Sequence, residues 1–213
     1  FIKDGDGTLA LTFPGTHTLS AYEHTDINAL QNTGANGDSP TTGFSGLSVI
    51  RGRLVLGAAG QTNLCNKRID IGLRTATNAN AETAGELVLN DGALLCNTTL
   101  SIGRGNGNTL TAPGGLTPKL TLNGGYATCY LFALGFWGSQ GTNYICRPLC
   151  EINAGTLAVN SCSLGESTGS YAVVTVRGGT LLSAGNIHVG GTQNPAGTGT
   201  LNLSGTGVVD VAT

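Results

Sequence analysis

The residues of this 213-residue chain best placed to act together are its cysteines, six in all. Cys65 and Cys96 stand in the matching phrases LCNKRIDIG (64–72) and LCNTTLSIG (95–103), and Cys129 holds the same place in YATCYLFALG (126–135). If these phrases stack as neighbouring strands, the Cα atoms come within about 5 Å, inside the disulfide range. Parallel side chains pointing inward lie side by side, however, so the other reading is a column of buried small thiols. Cys150 and Cys162 also fall on inward positions, whereas Cys146 sits in an aromatic segment and is expected to be the most exposed. A zinc set is not formed: there is no CxxC, and His17, His24 and His188 are dispersed.

Other chemistry has less behind it. DGDG (4–7) resembles a calcium loop in miniature but lacks the further spaced acidic ligands that such a site needs. GRGNG (103–107) is followed by neither Lys-Ser/Thr nor a helix pattern, so it reads as a turn. One outward column runs Asp70, Ser101, Ala133, Ser163, His188 and contains no second carboxylate to pair with the first. No nucleophile, base and orienting group fall together. The chain is therefore expected not to be an enzyme and to hold no cofactor or metal. Six aromatics fall between Tyr126 and Tyr144. Phe136, Trp137 and Tyr144 among them read either as a contact site for a sugar or a neighbouring subunit, or as a loop covering its own wall.

What positions these residues is a repeat. NDGALLCNTTLSIG (90–103), NGGYATCYLFALG (123–135), NAGTLAVNSCSLG (153–165) and RGGTLLSAGNIHVG (177–190) are copies of one unit, and a diverged copy ends in LCNKRIDIG. A period of about 24–33 residues argues for units that bury their apolar faces only by stacking on one another. The closing glycines Gly72, Gly103, Gly135, Gly165 and Gly190 align. Before them, Ile69/Ile71, Leu100/Ile102, Phe132/Leu134, Cys162/Leu164 and Ile187/Val189 alternate with period two, placing each pair on one strand face. A second strand carries Leu9/Leu11, Leu54/Leu56, Leu87/Leu89, Leu120/Leu122, Cys150/Ile152, Val174/Val176 and Leu201/Leu203. A third carries Leu94/Cys96, Ala127/Cys129, Leu157/Val159 and Leu181/Ser183. Helical periodicity is missing. Asn90, Asn123 and Asn153 share one column, where amides can bond from strand to strand, and Arg53, Glu86 and Lys119 share another with alternating charge.

The expected fold is all-β: a single-stranded parallel β-helix, or β-solenoid, of about six coils with three short strands each and loop insertions at one corner. Residues 1–213 form one domain, a segment or a subunit of a longer rod. The insertions, 103–119 and 135–149 above all, should line one side and offer a binding face. With a formal net charge of −2 and scattered basic residues, no nucleic-acid footprint is expected. No apolar run suits a membrane span. The chain opens at Phe1, close to a strand pattern, and is expected to be a processed product or a piece of something longer.

Residues 2–30, IKDGDGTLALTFPGTHTLSAYEHTDINAL, resemble the passenger-associated repeat of bacterial autotransporters through Lys3, Gly5, Gly7, Thr8, Leu9, Leu11 and Thr18. The later G-T-L phrases are similar to the same broad class of secreted repeats. The resemblance implies a right-handed β-helix at the cell surface or outside a prokaryotic cell, serving as stalk, display element or adhesin. Its two ends look alike: GTLAL (7–11) begins and GTLNLSGTGVVDV (199–211) closes. Thr8, Leu9 and Leu11 at one end and Leu201, Leu203, Val209 and Val211 at the other are therefore the candidate assembly residues. They would stack end to end into a filament, or continue in a longer chain. The alternative function is adhesion, with a glycan or surface ligand held by the corner loops.

Overall fold

A computed structural model describes residues 1–19, 45–72, 84–104, 117–135, 145–191 and 197–212. Within them the chain forms β1 (Ile2–Lys3), β2 (Thr8–Leu11), β3 (Gly15–Thr18), β4 (Ser45–Val49), β5 (Arg53–Leu56), β6 (Gln61–Cys65) and β7 (Arg68–Ile71). There follow β8 (Glu86–Leu89), β9 (Ala93–Cys96), β10 (Thr99–Ile102), β11 (Lys119–Leu122), β12 (Tyr126–Leu134) and β13 (Leu149–Ile152). The last are β14 (Thr156–Leu164), β15 (Tyr171–Val176), β16 (Thr180–Ser183), β17 (Ile187–Val189), β18 (Thr198–Leu203) and β19 (Val208–Val211). No helix occurs among the described residues.

The strands make two sheets, one of twelve strands and one of seven. Every named pairing is parallel. The seven-stranded sheet runs β2-β5-β8-β11-β13-β15-β18. Its registers keep Leu9, Leu54, Leu87, Leu120, Cys150, Val174 and Leu201 in one row. In the other sheet Ile69, Leu100, Phe132, Cys162 and Ile187 form a second row.

This topology corrects the single-stranded β-helix of three short strands per coil. Strands assigned to two separate walls in that scheme belong to one twelve-stranded sheet. The cause is visible where β12 meets β9 and β10. Thr128 pairs with Leu95 and Leu131 with Thr99, so only Tyr130 spans the place where the earlier repeat has Asn97 and Thr98. Two residues make a corner there; one residue is absorbed as an irregularity, with the N–H groups of both Tyr130 and Leu131 donating to the Thr98 carbonyl (2.8 and 3.2 Å). β12 and β14 thus run on for nine residues each and fuse the two walls.

The apolar rows of the two sheets face one another and form one continuous core from Leu19 to Leu181. Burial of each such Leu, Ile or Val contributes on the order of 1.5–3 kcal/mol, the main term holding parallel strands that have few turn contacts of their own. The closing glycines sit where the chain turns out of the sheet. Gly103 has φ +72°, and a Cβ there would lie 2.3 Å from Cys146 Sγ, so both backbone conformation and space call for glycine. The polar columns lie on the outer surface. Asn153 donates to Asn123 and Asn123 to Asn90, each at 3.0 Å. Arg53 pairs with Glu86 at 3.2 Å, while Glu151 accepts from Lys119 at 2.8 Å and from Arg177 at 3.4 Å.

Candidate functional site

Three places bring chemically useful groups together: the sheet ends, the cysteine row and a buried polar row.

At the sheet ends the rows simply stop. β2 pairs only with β5 and β18 only with β15 among the described residues; β3 and β19 likewise have one partner each, β6 and β16. Leu11, Leu201 and Val209 pack against the core with one side covered. Leu203 is 58%, Val211 40% and Leu9 36% exposed, although their neighbours in the same rows are fully buried. Thr8 is exposed beside Leu9. The ends are not equivalent. In the row that closes on Val209, the opposite end carries Asn63 and then His17, whose Nε2 meets the Phe13 carbonyl at 3.0 Å. Gln61 and Asn63 are buried there, and the Gln61 amide donates to the Leu11 carbonyl at 3.0 Å. That corner is polar inside, and the C-terminal end is apolar.

No disulfide joins any of the six cysteines and all are buried, which corrects the exposed Cys146 of the sequence reading. Its N–H donates to Gly169 O and its carbonyl accepts from Tyr171 N (3.0 and 2.8 Å), tying residues 145–149 onto the sheet. Cys65 and Cys96 are direct partners on β6 and β9. The register that pairs Thr128 with Leu95 carries Cys129 on toward Cys96. A hydrogen bond between the two thiols of the pair pushes Cys65 up and holds Cys96 down at about 7, so the pair releases its first proton far more readily than its second. Burial pushes up Cys129, Cys150 and Cys162, the last to about 12.

The column read as outward, Asp70–Ser101–Ala133–Ser163, is buried. Arg104 and Glu166, the residues directly after Gly103 and Gly165, are buried with it, at 1% and 3% exposure. Asp70 pairs with Arg68 at 2.7 Å, lies 3.9 Å from Arg104 and accepts a bond from the Ser101 hydroxyl. Ser163 donates to Glu166. The strands bearing Asp70 and Ser163 are three strand spacings apart, about 14 Å, beyond the separation of paired glycosidase carboxylates. Arg68, Arg104 and Glu166 were not singled out from sequence; the available signal was a charged residue directly after the closing glycines Gly103 and Gly165.

The remaining candidates resolve simply. The DGDG turn already holds a cation of its own: the Lys3 ammonium donates to the carbonyls of Asp4, Gly5 and Arg51 at 3.0, 2.6 and 3.1 Å. Asp4 bonds Arg51 at 2.8 Å, which lowers its carboxyl below the usual range. Among the described residues no group of three or more His, Cys, Asp or Glu is arranged to hold a metal ion. Phe136, Trp137 and Tyr144, with most of the two corner segments, lie outside the described residues.

No family model, no curated protein and no solved structure matches the chain. The passenger-repeat resemblance therefore rests on its motifs alone.

Proposed function

We propose that this chain is a structural, non-enzymatic protein of the cell surface or extracellular space whose parallel sheets are extended end to end by another copy or by further repeats. The observation that carries the reading is the apolar C-terminal edge. Leu203, Val208 and Val211 are 58%, 47% and 40% exposed, on strands that have a partner on one side only among the described residues. An open edge of this kind offers both backbone bonds and apolar surface to an incoming strand. The seven-stranded sheet supports the match with the other end. Laying β18 on β2 would put Thr200, Leu201, Asn202 and Leu203 over Thr8, Leu9, Ala10 and Leu11, with no charge conflict. Such a contact is heterologous and does not close on itself, so it propagates. Placement outside the cell is supported by the repeat resemblance.

Electron microscopy across a concentration series tests this reading. Thin filaments with an axial repeat of about 33 Å, seven strand spacings, are the expected result. Leu203→Asp should leave single particles. Monodisperse particles at every concentration would overturn self-assembly.

A further inference from the structure

We propose that Cys65 and Cys96 form a two-coordinate thiolate site for a soft d10 cation, of the copper(I), silver(I) or mercury(II) class. The two residues are in-register partners on adjacent parallel strands, both inside the core, at 0% and 2% exposure. Neighbouring strands lie about 4.8 Å apart, and side chains leaving them in the same direction keep that spacing. Two thiolate–metal bonds in line, each near the length of a zinc–thiolate bond (about 2.3 Å), span about 4.6 Å. A disulfide fits less well, since it needs Cβ atoms about 3.8 Å apart and side chains that converge.

The surroundings point the same way. The Lys67 carbonyl oxygen lies 3.2 Å from Cys65 Sγ and 3.4 Å from Cys96 Sγ, so both sulfurs stand against one point between the strands, with the Thr99 carbonyl also 3.4 Å from Cys96 Sγ. A cation bridging the sulfurs would displace the two thiol protons. Harder ions are poorly served, because zinc wants four ligands and the described residues offer no group of three. Thiolate pairs select soft ions. Entry is short: Asn66, Lys67, Asn97 and Thr98, next in sequence to the two cysteines, are exposed. In the binding step two S–H bonds break, two metal–sulfur bonds form, both protons leave to solvent, and no oxidation state changes.

The test uses the full, reduced chain and silver(I) as probe, followed by near-ultraviolet thiolate-to-metal absorption and by thermal melting. One equivalent should bind tightly and raise the melting temperature. Cys65→Ser and Cys96→Ser should each weaken that first equivalent by a hundredfold or more, while Cys150→Ser binds as the parent does. X-ray absorption of the silver-loaded parent chain should show a first shell of two sulfurs and no nitrogen or oxygen, a readout that needs no variant to fold. Uptake unchanged in Cys65→Ser, no uptake by the parent chain, or a shell other than two sulfurs would each overturn the proposal. So would efficient closure of a Cys65–Cys96 disulfide on mild treatment with an azodicarboxamide oxidant.

Discussion

Arg68 and Asp70, two residues apart on β7, form a 2.7 Å ion pair that is almost entirely shielded from solvent. They point to the same side because side chains alternate along a strand. Arg104, directly after Gly103, is buried beside them, 3.9 Å from Asp70. Breaking one partner of a buried pair leaves the other charge uncompensated, at a cost of about 3–5 kcal/mol. Asp70→Asn, which keeps the shape and removes the charge, should lower stability by that order in urea melts. A loss below about 1 kcal/mol would mean that the pair is solvated.

The outer ladders should behave differently. Glu151 stands between Lys119 and Arg177 with about a quarter of its side chain exposed. Glu151→Gln should cost less than about 1 kcal/mol, and the effect should fade as salt is added. Asn123 both donates to Asn90 and accepts from Asn153. Asn123→Ala should cost about 1 kcal/mol, with little dependence on salt. Parallel melts at low and high ionic strength separate the two ladders.

The rows were legible because their spacing is regular. Leu87, Leu120 and Cys150 recur at the same offset from the residue that opens each strand, and the structure pairs them. The joining of two walls was harder to see. Cys65 to Ile69 and Cys96 to Leu100 are four residues apart, whereas Cys129 to Phe132 and Val159 to Cys162 are three. That single missing residue turns a corner into a continuous strand, and alignment on the closing glycine hides it. The buried polar row was misread for another reason. Alternation says which residues share a face, but not whether that face is buried, and Arg104 and Glu166 sit in stretches whose composition reads as turn.

Gly103 and Cys146 offer a test of how tightly the segment around Cys146 is held. Gly103 sits at φ +72°, and an added Cβ would come within 2.3 Å of Cys146 Sγ. Gly103→Ala should therefore cost about 1–3 kcal/mol from backbone strain, with a further clash. Cys146→Ala removes the sulfur but leaves the strain. The double variant should be less destabilised than the sum of the two, by about 0.5–3 kcal/mol of coupling. Strict additivity would show that the segment around Cys146 moves aside instead.

The buried thiols make stability depend on alkaline pH. Burial raises Cys129, Cys150 and Cys162, and Cys162 reaches about 12. In the unfolded chain these groups ionise near their usual value of about 8.5. Above that value the unfolded state has lost protons that the folded state still holds, so ionisation favours unfolding. The stability is fully present below about pH 8.5 and falls by about 1.4 kcal/mol per pH unit per thiol as pH rises toward the folded value. Urea midpoints at pH 8, 9 and 10 should drop steeply. Cys162→Ala lowers the starting stability by removing packed volume, but it should also make that decline shallower by about one thiol's share. Tyrosine and lysine ionisation affects both chains alike, so the difference in slope isolates the thiol. Equal slopes for the two chains would mean that Cys162 ionises in place and is open to water.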